Sequence, residues 1–224
     1  ALVNIEISSV TNITTATIPK GFSLQSSLNN TPYFFITNEA ITKSRENNVL
    51  RFENLEVFEG TLITTRYTVD ADNIDQRFIV PDIQADMSTL KVTVQNSSTD
   101  STTQTYTESA DIVQATSTSN IYFVQEVEDG QHEILFGDGV IGKKLSDGNI
   151  VILEYIVTNE TKANGANNLT GSSQIAGTTA YTVTTTSAAS GGATRETIDS
   201  IKFNAPLDYS AQNRAVTVND YKVF

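Results

Sequence analysis

Ile121-Tyr-Phe-Val-Gln-Glu-Val-Glu-Asp-Gly-Gln-His-Glu-Ile-Leu-Phe136 decides how this chain is read. Two runs of β-branched and aromatic residues flank Glu128-Asp129-Gly130, and Gly130 supplies the positive φ that a tight turn requires, so the stretch predicts a β-hairpin. The same grammar repeats outward. Runs at residues 49–58, 61–69, 77–80, 90–95, 103–113, 121–127, 132–136 and 150–157 read as strands. They are broken by Glu59-Gly60, Asp70-Ala-Asp-Asn73, Asn96-Ser-Ser-Thr-Asp100 and Ser146-Asp-Gly-Asn149, intervals suited to an antiparallel sandwich or barrel. Upstream, Ile18-Pro19-Lys20-Gly21 is a turn signal, and Thr31-Pro-Tyr-Phe-Phe-Ile-Thr37 reads as a strand reached from a turn.

Composition agrees. Of 224 residues, 32 are Thr, 20 Ser and 19 Asn. Thr with Val, Ile, Tyr and Phe favours strands, while Asn, Ser and Gly favour turns. A compact protein of 24.3 kDa exposes roughly 10,000 Å² and buries about 70% of its unfolded surface, enough for one large core or two small ones. There is no Cys, which removes disulfide frameworks, thiolate metal sites and thiol catalysis. A net charge of −12 repels a phosphate backbone and an anionic membrane surface, so neither nucleic acid nor membrane is an expected partner. No stretch approaches the roughly 18 apolar residues of a membrane span. The chain starts at Ala1 rather than Met and stops at Phe224 inside what reads as the opening of a helix, so a piece of a longer protein is expected.

Residues 158–192 turn poor in bulky side chains. Ile175 and the Tyr181-Thr-Val183 alternation predict one or two strands added to an existing sheet, the alternative being a flexible linker. Helix enters only at the end. Thr194 is the expected cap, Ile198 and Ile201 lie three apart, Lys202 suits a carboxyl end and Pro206 is the expected stop. A second start is read at Thr217-Val-Asn-Asp220, a capping box.

Several motifs tempt towards chemistry. Gly137-Asp138-Gly139-Val140-Ile141-Gly142 is a literal G-x-G-x-x-G, and Gly137 to Lys143 also fits G-x-x-x-x-G-K. Both need a helix after the glycines to present amides to phosphate, but Leu145 to Asn149 reads as a turn, and Lys144 stands where magnesium needs a hydroxyl. Gly137, Asp138 and Gly139 are instead expected as structural turn residues, with Asp138 bonding nearby amides. Asp70-Ala-Asp72-Asn-Ile-Asp75 resembles the opening of a calcium loop, yet Ile74, Asp75 and Pro81 replace required residues, so a solvated turn is expected. His132, the single imidazole, is expected as an exposed strand residue, and no Ser sits in a nucleophile-elbow context. The residues point to no catalytic group, no cofactor and no metal.

Two longer phrases carry a resemblance. One runs Tyr122-Phe-Val-Gln-Glu-Val-Glu-Asp-Gly-Gln-His-Glu-Ile-Leu-Phe-Gly-Asp-Gly-Val-Ile-Gly-Lys-Lys144. The other runs Gly191-Gly-Ala-Thr-Arg-Glu-Thr-Ile-Asp-Ser-Ile-Lys-Phe-Asn-Ala-Pro206, continued by Gln212-Asn-Arg-Ala-Val-Thr-Val-Asn-Asp-Tyr221. With the Ile18 to Thr37 stretch they resemble the baseplate wedge protein of contractile-tailed phages, the baseplate-J-like family, and Arg214 to Tyr221 is the most specific phrase. The resemblance implies a structural protein of the virion tail baseplate, assembled in the host cytoplasm. It would join neighbouring wedges into a ring around the tail hub, act as a homodimer with other wedge subunits as partners, and rearrange on sheath contraction. A carbohydrate- or receptor-binding β-sandwich is the alternative. The expected fold is mainly β, with antiparallel sandwich-like sheets in two domains and short helices near the C-terminus. The resemblance implies that residues 1–48 and 159–192 form a discontinuous domain, that 49–158 is inserted into it, and that 193–224 starts a truncated helical segment. Arg195, Glu196, Asp199, Arg214, Asp220 and Tyr221 fall within its motifs and are the interface candidates, against a solvated face or an internal capping network.

Overall fold

The computed structural model describes residues 1–8, 13–109, 115–127 and 130–211. Among these the chain is mainly β, with sixteen strands, one short 3-10 turn (Glu160–Ala163) and one helix.

A three-stranded sheet is built on β1 (Leu2–Ile7), flanked by β6 (Leu50–Glu56) and β16 (Thr182–Ser187), both antiparallel to it. Alternation points Val3, Ile5 and Ile7 inward, each no more than 1% exposed. A second sheet has the order β15 (Thr170–Gly171), β3 (Ser23–Leu28), β4 (Thr31–Ile36), β7 (Phe58–Glu59). A two-stranded ribbon pairs β2 (Thr15–Ile18) with β5 (Ile41–Ser44). These elements enclose one hydrophobic cluster, with Ile5, Leu24, Phe35 and Phe52 at its centre and Ala163, Leu169, Ile175 and Ala189 closing it from the far end of the sequence. The segment 158–192 is therefore ordered by burying its few apolar residues, and β16 adds to β1.

Asparagine makes the tight turns here. Asn29 and Asn30 have φ of 51° and 63°, and Asn47 and Asn48 have 49° and 61°, the left-handed pair that a type I′ hairpin needs. Glu46 and Val49 exchange both backbone bonds across the second pair, at 2.9 Å each.

The large sheet has the order β8 (Thr61–Thr68), β14 (Ile150–Val157), β10 (Ala85–Gln95), β11 (Thr103–Glu108), β12 (Ile121–Glu126), β13 (His132–Phe136), β9 (Ile79–Val80). Its pairs are antiparallel except β11 with β12, where Thr107 and Glu108 run parallel to Ile121 and Tyr122. Strand β14, between β8 and β10, is buried on both faces, so it reads as a continuous apolar run rather than an alternating one. Val92, Leu153, Tyr155, Val80 and Ile134 form a second hydrophobic cluster beneath this sheet. Three edge-to-face contacts, Tyr67–Phe78, Phe78–Phe136 and Phe136–Tyr106, line it at 5.4–5.8 Å. Between Asp86 and Lys91 the register of β10 slips, and buried Thr89 covers the fault: its hydroxyl donates to the Asp86 carbonyl and accepts the Ile156 N–H.

Some elements depart from expectation. Strand β6, grouped by sequence with the strands that follow it, pairs with β1 instead and lends Leu50, Phe52 and Leu55 to the first cluster. A bulge makes this possible. Asn54, at φ 52°, donates its N–H to the Asn4 side chain, and the extra residue returns Leu55 to the face that Phe52 occupies. Helix α1 (Ile198–Ala211) is capped by Thr197, not Thr194: the Thr197 hydroxyl accepts the Ser200 N–H at 3.3 Å. Pro206 does not stop it. Proline forfeits the bond to the Lys202 carbonyl, but the helix continues through it. The expected second helix start, residues 217–220, lies outside the described residues.

The two clusters meet through polar and backbone contacts. Phe35 and Ile36 of β4 pair with Glu59 and Phe58, and the Gly60 N–H donates to the Phe34 carbonyl at 3.0 Å. Lys20 forms an ion pair with Glu154 at 3.0 Å, and the Glu59 carboxylate accepts two bonds from Asn159.

Candidate functional site

The hairpin of β12 and β13 closes where the Val127 N–H donates to the Gln131 carbonyl, with Gly130 at φ 74°; Glu128 and Asp129 lie outside the described residues. Beyond β13 comes the glycine-rich loop. A Cβ on Gly137 would collide with the Gly142 backbone, so that position requires glycine for close approach, whereas Gly139 requires it for φ 94°. The Asp138 carboxylate accepts the N–H groups of Val140 (2.8 Å) and Ile141 (2.9 Å), and these bonds hold its pKa below the usual range. The loop amides are thus turned on Asp138 and, through Lys143 and Gly142, on the carbonyls of Ser119 and Thr116. No helix follows the loop, which leads through a turn into β14. The Lys143 amine donates to Gln104.

The calcium-like stretch spends its oxygens similarly. Asp70 and Asn73 side chains accept the N–H groups of Asp72 and Asp75, and Asp147 accepts that of Ala71. Among the described residues no group of His, Asp and Glu is arranged to hold a metal ion. The Tyr33-Phe34-Phe35 run leaves Phe34 exposed at 52%, while Tyr33 packs on the first cluster and Phe35 is buried.

A cleft of about 580 Å³ opens where the hairpin meets the strand-poor C-terminal segment, lined by Glu126, Gly130, His132, Glu160, Asn164 and Arg195 among others. His132 is partly buried rather than exposed as expected: β13 lies between β12 and β9, so it is flanked by Glu126 and Val80. Its Nδ1 is buried without a hydrogen-bond partner, so no carboxylate orients the ring at the atom where a Ser/His/Asp arrangement needs one.

Of the interface candidates, Arg195 lines the same cleft, Glu196 lies just before α1 and Asp199 lies in its first turn. Arg195 pairs with Glu126 at the end of β12, in space that a Cβ on Gly130 would fill. Glu196 accepts bonds from Ser200 and Asn204, which lower its pKa. Asp199 is exposed in the first turn of α1. Arg214, Asp220 and Tyr221 lie outside the described residues. Sequence reasoning missed the surface character of α1 itself: Ile198, Ile201, Phe203 and Tyr209 are 44–83% exposed, on a helix whose apolar residues sit on more than one face. The signal was present in Ile198 and Phe203, five positions apart, which no single helix face accommodates.

Comparison with known proteins places these features. Residues 62–164, which carry the large sheet, match the family model of bacteriophage baseplate wedge protein gp6, third domain. The baseplate wedge protein gp6 of Enterobacteria phage T4 is 27% identical over 235 aligned residues, covering 93% of this chain. The chain spans about a third of that relative's length, 34%. Residues 62–164 are thus similar to the third domain of the phage baseplate wedge protein gp6, and the chain around them is similar to a segment of such a wedge protein.

Proposed function

We propose that this chain is a segment of a phage tail baseplate wedge, with a structural and not a catalytic role. It joins neighbouring wedges into a ring around the tail hub, pairs with a second copy, contacts other wedge subunits and rearranges when the sheath contracts. It acts in the virion tail. The observation that carries the reading is the match of residues 62–164 to a wedge-protein domain, supported by α1, whose exposed Ile198, Ile201, Phe203 and Tyr209 offer apolar surface of the kind that permanent assemblies bury. The same reading divides the chain into a discontinuous domain of residues 1–48 with 159–192, an inserted domain of residues 49–158 and a helical start at 193–224; the hydrophobic clusters suggest moving Leu50, Phe52, Leu55 and Val57 from the second domain to the first.

The test is assembly. Purified full-length protein, mixed with the other wedge subunits of its phage, is expected to sediment as a complex of defined stoichiometry, and Phe203→Asp in α1 is expected to weaken that complex while leaving the fold intact. A full-length protein that sediments alone at every concentration and is missing from purified tails overturns the proposal.

A further inference from the structure

Residues 189–197 carry the chain from the first hydrophobic cluster to α1, and two anchors of different chemistry hold them. The near anchor is made of amides. Asn164 grips Gly192 twice: its Nδ2 donates to the Gly192 carbonyl at 2.7 Å and its Oδ1 accepts the Gly192 N–H at 3.1 Å. A Cβ at Gly192 would collide with the Glu160 carbonyl, so the backbone there is seated against the 3-10 turn. Ala189 is tied down as well, donating to the Ala166 carbonyl and accepting from Gly165, at 2.8 Å each.

The far anchor is ionic. The Arg195 guanidinium reaches the Glu126 carboxylate in the room left by Gly130, at the tip of the hairpin. Both side chains are about half exposed, 49% and 57%. Neutral amide bonds next to packed backbone respond little to salt, whereas an exposed ion pair is screened within a Debye length of about 3 Å at 1 M salt. Gly191, at φ 89°, turns the chain inside the near anchor, between Ala189 and Gly192, and only the exposed residues 193–194 separate Gly192 from Arg195.

We propose that Arg195–Glu126 is a releasable latch and Asn164–Gly192 a fixed pivot, so that opening the ion pair frees α1 to swing relative to the hairpin while both β clusters stay intact. The device is intramolecular and operates in the free chain, so it stands or falls apart from the assembly reading.

Because the chain has no Cys, two introduced cysteines report without background. Thr64→Cys on β8 and Asp199→Cys on α1 are both exposed positions for spin labels, and pulsed dipolar spectroscopy reads the distribution of distances between them. The expected result at low salt is one narrow distribution that broadens at least twofold in 1 M NaCl or with Arg195→Gln. The double exchange Glu126→Arg with Arg195→Glu is expected to restore the narrow distribution. Unchanged thermal midpoints show that broadening is not unfolding. Asn164→Ala is expected to broaden the distribution even with the ion pair present. Equal widths for Arg195→Gln and the parent, no salt response, or an exchange that fails to narrow the distribution would each overturn the latch; an Asn164→Ala variant as narrow as the parent would overturn the pivot.

Discussion

Leu50→Ala asks whether the two hydrophobic clusters are separate cooperative units. Leu50 is fully buried on β6, opposite Ile7 of β1. Its replacement removes three carbons, about 2.4 kcal/mol of transfer free energy at roughly 0.8 kcal/mol per group. The residual cavity brings measured Leu→Ala costs to about 3–5 kcal/mol. With a factor of ten for each 1.4 kcal/mol, amides that exchange only when this core opens should exchange roughly a hundred times faster or more. Hydrogen exchange followed by mass spectrometry should find the acceleration in β1, β6 and β16, with β14 unchanged. Leu153→Ala, fully buried on β14, should produce the converse pattern. Equal acceleration of β14 and β1 by Leu50→Ala would refute the reasoning, since it would mean that the chain opens as one unit and that β6 does not belong energetically to the first cluster.

Pro206→Ala should strengthen α1, since proline in a helix interior costs roughly 3 kcal/mol; circular dichroism should show increased helical signal, and no increase would mean that Pro206 is already accommodated without loss. Thr197→Ala removes the hydroxyl that accepts the Ser200 N–H and should lower protection of the first turn of α1, by about 1 kcal/mol for a typical cap, measured by amide exchange. Tyr155 is held neutral by burial and by its 2.6 Å bond to Asp82, which push its pKa up to about 12. A raised pKa favours the protonated form in the folded state, so its stabilising contribution is complete below pH 10 and is lost as the pH rises towards 12. Tyr155→Phe should remove that part of the alkaline transition in pH-dependent denaturation. Asp100 works in the opposite sense: bonds from Asn96 and Thr102 lower its pKa to about 2, so the 96–102 turn should loosen only as the pH falls below the ordinary carboxylate range, visible in an NMR titration.

Local chemistry was the legible part of the sequence. Strands β8, β12, β13 and β14 fall almost where alternation and turn residues put them, because each is bounded by Gly, Asp or Asn clusters that leave little choice of register. The pairing of β6 was not legible, because it depends on Asn54 taking a left-handed conformation inside a strand, which no periodicity announces. Strands β2, β3 and β5 are short and rich in Ser and Thr, and β1 takes its place from partners up to 185 positions away, as in Leu2 with Ser187. The glycine-rich loop shows the converse: a motif is legible as letters, but its amides already have acceptors, and only geometry reveals that. Arg195 was legible as a candidate from its motif, yet its partner Glu126 lies 69 residues away in sequence.

The position of β1 between β6 and β16 has a consequence for how the chain is made. A ribosome releases β1 well before one of its two partners, residues 182–187, which follows only after the whole large sheet. Residues 61–157, by contrast, contain every strand of the large sheet and can close it as soon as they are out. Between β1 and β16, synthesis therefore reverses the usual order in which the earlier part folds first. The large sheet is complete while β1 still has an open edge, and that edge stays open to mispairing until Thr182–Ser187 arrives.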